Sequence, residues 1–391
     1  MNDAADAVRV STRLDLHSAS QRSGLYSVRE VGPLLGWILL AALLLRLFVV
    51  FGAGFDWVTP DTAVYFRMAD RILAGDPEGH FPNGYPLLVA AAKLLFPSAR
   101  VEAVLLALNA ILSTAMVALA HGIARSLGSG ERGALGAAVI LAFLPNQLVY
   151  VHYLLSDVSA AFLLACGMLA LCRRHFVTGA ACLAAAALFR STLTPALLGV
   201  FALVALRSDA RPGFARLVAG AAGVGAAYAI LLLAGVVEPS RNLGSNLLLA
   251  VSDTSSGFGW SKEMFSEADR AAPMQTYLRF AAEHPIEFVH QRASSLWELW
   301  GPYPLDVPRP AWENLLLGLR FPLLLLGALA AVSGRRRFEF QLLAIPVVTI
   351  TLVHVAFFST PRFAFVVMPL VVAAAATELT RRGGRWVRPE T

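Results

Sequence analysis

Long apolar runs, separated by short arginine-bearing segments, constrain this chain more than any other feature. A helix needs about 20 predominantly apolar residues to cross the hydrocarbon core of a bilayer. Candidate spans fall at 33–52, 102–123, 134–152, 155–172, 175–189, 192–206, 215–237, 312–332, 339–358 and 361–379. Only 15% of the 391 residues are charged and 57% are hydrophobic, against roughly 25% charged in a soluble domain. Lipid is therefore the expected solvent for most of the surface. The predicted fold is all-α, a polytopic membrane bundle of about ten transmembrane helices. The fifth and sixth spans are short, and Arg190-Ser191-Thr192 between them predicts a tight turn at one membrane face. Tyr85 to Phe96 is too short to span and reads as a helix lying along the interface.

The arginines orient the bundle. With the N-terminus inside, eighteen of the 32 Lys and Arg fall on inner segments, concentrated in short loops and tails, which is the positive-inside pattern. The net charge of +6 and pI near 9.5 are thereby a topological signal and a match for anionic membrane lipid, not a nucleic-acid footprint. This predicts an inner-membrane protein with cytoplasmic tails at 1–31 and 380–391 around a transmembrane domain at 32–379. The first 30 residues carry Arg9, Arg13, Arg22 and Arg29 and no apolar core, and the first apolar run is too long for a cleaved leader. A retained signal anchor is the expectation. Two extracytoplasmic segments, 53–100 and 238–311, are longer than connection requires, and loops of that kind are usually functional.

Several residues in these outer segments can carry chemistry. Thr59 or Asp61 can cap a helix that tolerates Pro60 at its start, and Asp61, Tyr65 and Ala69 then share one face. Asp61 reads either as an N-terminal charge beside a helix dipole or as a carboxylate held at the membrane surface to take a proton. Asp56 precedes it by five residues. His80, Asn83 and Tyr85 lie in a turn made rigid by Pro82, Gly84 and Pro86; aromatic residues there also serve as membrane-interface anchors. Asp157 sits at the mouth of the fourth span, where an acid is costly unless it caps a helix or faces a polar cavity. Arg190 and Arg362 lie outside, against the charge bias. Each either snorkels to lipid headgroups or meets an anion such as a phosphate. Asn246 and Trp260 belong to a stretch of glycines, amides and aromatics that suits a sugar or an amphipathic lipid and equally the turns of a soluble loop. Arg46 and Arg320 fall in the interior of predicted spans rather than at their ends.

Other signals are missing. There is no GxxxxGK[ST], HExxH or GxSxG motif. The histidines are scattered, so no metal or other cofactor is indicated. Cys166, Cys172 and Cys182 have no metal spacing and read as small buried hydrophobes.

Taken in order, these segments resemble the GT-C glycosyltransferases that use polyprenyl-phosphate sugars, above all the branch of aminoarabinose, galacturonic-acid and protein-mannose transferases. Asp61-Thr62-Ala63-Val64-Tyr65 with Ala69 is similar to that family's first acidic motif. Phe81-Pro82-Asn83-Gly84-Tyr85-Pro86-Leu87-Leu88 resembles its PPGYPLL re-entry. Leu154-Leu155-Ser156-Asp157, Phe189-Arg190-Ser191-Thr192, the stretch from Ser245-Asn246 to Trp260, and Arg362-Phe363 with Pro369 look like its later elements. The acidic pair is often adjacent in the family, whereas Thr62 follows Asp61 here, and His80 and Asn83 stand where several members have a lysine.

The resemblance implies an inverting transfer of one sugar from a polyprenyl-phosphate donor to a hydroxyl outside the cytoplasm. Asp61 would act as general base, Arg190 and Arg362 would neutralise the departing phosphate, and Asp157 would orient the acceptor, the sugar or one of the arginines. Asp56, Tyr65, His80, Asn83, Tyr85, Asn246 and Trp260 would line the substrate site. A glycan or lipid acceptor is expected. No soluble C-terminal domain like that of the protein-glycosylating branches is expected after the last span, which makes a protein acceptor the less expected one. The rivals are a lipid-linked sugar flippase or secondary transporter, which places ionisable groups near the midplane, and a scaffold protein.

Overall fold

The computed structural model describes residues 32–54, 58–97, 100–252, 265–301 and 318–386, with side chains to 382. Every regular element among the described residues is helical, and the chain is a multi-pass membrane protein. Five helices are long and apolar enough to cross a bilayer by length and composition: Gly32–Gly52 (α1), Val101–Ser126 (α4), Arg211–Leu233, Phe338–Ala356 (α16) and Pro361–Arg382. Shorter helices complete the bundle. These are Glu131–Phe143 (α5), Pro145–Val149 (α6), Asp157–Cys172 (α7), Phe176–Phe189 (α8), Thr194–Leu206 (α9) and Arg320–Ser333 (α15). The Arg211–Leu233 span is a 3-10 turn followed by Phe214–Leu233 (α10), and the last span is Pro361–Ala364 (α17), a 3-10 turn and Met368–Trp386 (α18).

Burial separates the core from the lipid-facing helices. The last span is 83% buried, whereas α1 is 17% and the Arg211–Leu233 span 11% buried, so α18 is the axis around which the others pack. It lies against α15, α5 and α4, while α7 packs on α8 and α4, and α10 on α8. Small residues make these approaches possible, as expected where packing rather than water drives helix association. A side chain at Gly220 would meet the Val177 carbonyl oxygen at 2.2 Å, and one at Gly179 would meet Leu171 Cγ at 2.4 Å.

The third predicted span breaks where the sequence expectation ran it on to residue 152. Pro145 has no N–H to give the Leu141 carbonyl, and Leu144 before it is extended (φ −65°, ψ 118°). Arg46 supplies the missing donors from α1. Its guanidinium donates to the Ala142 (3.1 Å) and Leu141 (3.3 Å) carbonyls and to Ser113 Oγ (2.7 Å). Arg320 does the same for the end of Pro285–Trp300 (α14), donating to Leu299 (3.1 Å) and Glu298 (3.2 Å) carbonyls. Both buried arginines thus act at the negative, carbonyl ends of helices.

The two ends of the bundle differ chemically. At one end Arg125 pairs with Glu131 (2.9 Å), Arg174 with Asp209 (3.0 Å), and Arg381 and Arg382 with Glu378 (2.8 and 2.7 Å), while Arg337 donates to the Leu127 carbonyl (2.7 Å). The opposite end carries Pro60–Leu73 (α2), Gly84–Leu95 (α3), Asn242–Ala250 (α11), Glu267–Ala271 (α12), Pro273–Glu283 (α13) and α14. Arg292 of α14 ties α14 and α11 to the end of α16. It donates to the Ala356 (2.6 Å) and Phe357 (2.7 Å) carbonyls at the end of α16 and to the Ala250 carbonyl (2.5 Å).

Replacing Arg46 by leucine strands the carbonyls at the α5–α6 break, at about 1–3 kcal/mol for each buried group left unpaired. Thermal unfolding of the detergent-solubilised protein is expected to show a clear loss of stability for Arg46→Leu. A midpoint equal to wild type would contradict this capping role.

Candidate active site

The site is assembled from four helix ends. Thr59 caps α2 by a reciprocal pair: its Oγ1 accepts from the Thr62 amide (3.2 Å) and its own amide donates to Thr62 Oγ1 (3.1 Å). Pro60 takes the first helical position, which places Asp61 in the first turn. Thr62 Oγ1 then donates to the Leu154 carbonyl (3.2 Å), and the Tyr65 hydroxyl shares a hydrogen bond with Ser156 Oγ (3.2 Å). These two ties bring Asp61 beside the start of α7, where Asp157 is the first helical residue. Asp157 is not a side-chain cap; its oxygens turn to arginine.

Arg190 follows α8 in extended conformation (φ −142°, ψ 107°) before the turn Ser191–Leu193, the tight turn predicted from sequence. Its Nη1 donates to Asp157 Oδ1. Arg362 enters from the first turn of α17 behind Pro361. Its Nη2 donates to Asp61 Oδ2 at 2.9 Å, and its Nε lies 3.4 Å from Asp157 Oδ2. Two carboxylates and two guanidiniums, from residues 61, 157, 190 and 362, therefore form one neutral network. Phe363 floors it, with the Arg190 and Arg362 guanidinium carbons 4.8 and 5.3 Å from the ring centroid, in cation–π range.

Exposure shows which side is open. The side chains of Asp157 and Arg190 are 2% and 8% exposed, those of Arg362 and Asp61 24% and 32%. The network is closed on the Asp157–Arg190 side and partly exposed along the Asp61–Arg362 edge. Snorkelling describes neither arginine, since both turn inward to acids.

Tyr65 and Tyr85 form the wall, in edge contact at 4.9 Å, with Phe81 5.0 Å from Tyr65. Burial, and after it the charge of Asp61, pushes the Tyr65 phenol up to about 12, so it stays a neutral hydroxyl. Asn83 does different work. Its amide donates to the Tyr228 hydroxyl (3.0 Å) and the Glu238 carbonyl (2.6 Å), locking the re-entrant turn to the end of α10. Gly84 lets that turn touch α8 beside Arg190, because a side chain there would meet Phe189 Cδ2 at 2.7 Å and the Leu188 carbonyl at 2.8 Å. The exposed His80 packs on Phe81. Asn246, half-buried on α11, makes none of the network's contacts. Asp56 and Trp260 lie outside the described residues. Among the described residues, no group of three or more His, Cys, Asp or Glu side chains is placed to hold a metal ion.

Phe363 and Ser156 appeared in the sequence only as neighbours of charged residues, and His354 only as one scattered histidine. His354 stacks on Phe363 at 4.0 Å and 15°. No local signal marks it, because the contact joins the end of one helix to the start of the next.

No family model matches the sequence, and no curated protein matches it. Solved structures do. The crystal structure of the Archaeoglobus fulgidus oligosaccharyltransferase, tethered with an acceptor peptide containing the NVT sequon via a disulfide bond, superimposes with TM-score 0.54 at 14% identity, over 90% of this chain and 50% of that one. The fold is of the GT-C type. ArnT from Cupriavidus metallidurans bound to undecaprenyl phosphate gives TM-score 0.48 at 15% identity, over 88% of this chain and 60% of that one. The chain thus spans half to three fifths of the length of these GT-C proteins. At such identities the likeness concerns the fold.

Removing one member of a buried ion pair leaves an uncompensated charge, at about 3–5 kcal/mol. Asp157→Ala is expected to unfold at markedly lower temperature than wild type, with Asp157→Ala/Arg190→Ala less destabilised than the sum of its single variants. Strict additivity in that double-mutant cycle would mean the pair is not coupled.

Proposed function

We propose that this chain is a membrane glycosyltransferase that moves one sugar from a polyprenyl-phosphate donor to an acceptor hydroxyl on the extracytoplasmic side. The observation that carries this reading is the convergence of Asp61, Asp157, Arg190 and Arg362 in one network whose Asp61–Arg362 edge is partly exposed. A flippase or transporter needs polar groups along a path across the membrane; the two arginines inside spans are instead consumed by helix-end carbonyls. The GT-C fold supports the same reading, as does the arginine-rich opposite end, which the positive-inside rule assigns to the cytoplasm together with both tails.

The acceptor oxygen attacks the anomeric carbon as the bond from that carbon to the phosphate oxygen breaks. The electron pair leaves with the polyprenyl phosphate, and the acceptor proton passes to Asp61. The configuration inverts, with no covalent enzyme intermediate. Asp61 suits the base role because one oxygen is held by Arg362 while the carboxylate stays about one-third exposed at the edge of the network. Arg362 and Arg190 stabilise the charge that develops on the leaving phosphate. Asp157, buried between them, aims both guanidiniums. Tyr65 and Tyr85 shape the pocket. The acceptor is a glycan or lipid of the cell envelope.

Membranes containing Asp61→Asn are expected to consume a polyprenyl-phosphate sugar some 10²–10⁴-fold more slowly than wild type, the usual range for loss of a general base. Arg190→Ala and Arg362→Ala are expected to weaken donor binding as well. Wild-type turnover in Asp61→Asn would remove Asp61 from this role.

A further inference from the structure

Buried side-chain polar atoms are nearly always hydrogen-bonded, yet several without such a partner belong to the segments that meet at Phe363. Besides Arg362 Nε, which faces Asp157, they are His354 Nε2 and Arg190 Nε, on side chains set against the Phe363 ring, and Ser359 Oγ and Thr192 Oγ1, on residues that closely follow these two in the chain. His354 and Ser359 are 3% and 0% exposed. The helix bearing His354 packs on the Ser191–Leu193 turn that holds Thr192, and His354 and both site arginines share the Phe363 ring.

The tautomer of His354 follows from its surroundings. A carbonyl accepts only, so Nδ1 carries the proton in its 3.1 Å bond to the Phe358 oxygen. Nε2 is left as a bare lone pair that requires a donor. An ionised phosphodiester has no proton to give and cannot satisfy it. A hydroxyl can, and its oxygen can in turn accept from Ser359, Thr192 or Arg190. That mixture of one acceptor with several donors fits a polyol rather than an anion.

We infer that His354 Nε2, with Ser359 Oγ, binds a hydroxyl of the donor sugar beside the arginines that take its phosphate, making His354 a specificity-determining residue. This rests on the glycosyltransferase reading above and deepens it by assigning residues to the sugar. The lone pair is worth most against a sugar lacking the matching hydroxyl, because a site built to hydrogen-bond a hydroxyl rejects analogues that lack it.

The test uses the full chain in detergent, with bare undecaprenyl phosphate and undecaprenyl-phosphate-linked glucose, mannose and arabinose as probes. His354→Asn keeps a donor for the Phe358 carbonyl but loses the acceptor at Nε2, and His354→Gln reaches that position with a carbonyl oxygen. Wild type is expected to bind at least one glycosylated lipid more tightly than the bare lipid. His354→Asn and Ser359→Ala should each erode that preference about ten-fold, the equivalent of one hydrogen bond, and leave bare-lipid binding within about two-fold. His354→Gln should restore most of it. An unchanged preference in His354→Asn, or equal weakening toward bare and glycosylated lipid, overturns the sugar role. A wild type that binds the bare lipid but prefers none of the three sugars also overturns it. A wild type that binds none of the four lipids instead overturns the donor class on which it rests.

Discussion

A carboxylate held at 2% exposure inside a membrane bundle is the interaction on which the rest of the structure turns. Asp157 is tolerable there only because cations meet both of its oxygens. Those cations arrive from far along the chain, Arg190 from the end of α8 and Arg362 from the start of α17. Arg362 in turn holds Asp61 at the start of α2. One buried acid thus sets the mutual position of four helix ends, and the four charges cancel. In a neutral, preformed network the mutual attraction of the groups offsets the desolvation cost of burying them and keeps them oriented. The network also has guanidiniums at hand when an anion arrives at its partly exposed edge.

The bundle supplies the rigidity this network needs. Small residues bring α8 against α7 and α10, and Gly84 brings α3 against the end of α8 beside Arg190. The tie of Arg292 to the Ala356 and Phe357 carbonyls fixes the segment just before Arg362. The segment carrying one catalytic candidate is therefore pinned by α14, which the same arginine also joins to α11. Pockets of this kind are shaped by what locks the side chains as much as by the side chains themselves.

Much of the fold was legible in the sequence because membrane helices satisfy their backbone internally and must be apolar outside. The turn at Arg190, the cap at Thr59 and the helix at residues 84–95 all followed from local chemistry. The third span did not, since an apolar run through Leu148 and Val149 conceals that Pro145 deprives Leu141 of its donor. The site was legible in part. Charges stranded at predicted helix ends singled out Asp61, Asp157, Arg190 and Arg362, because a charge near lipid asks for a partner. Their pairing was not legible, and Asp157 had three possible tasks.

Hydropathy and the placement of arginine determined, without any tertiary information, that this chain is an all-helical membrane bundle with its unusual charges gathered at helix ends. Both signals are one-dimensional, set by the free energy of each residue in lipid or water. Which acid meets which arginine, that Asn83 clamps a turn, and that His354 lies on Phe363 were decided only by packing. Those contacts join residues separated by up to 301 positions in the chain, and no local pattern carries the geometry of helix ends brought together by the whole bundle.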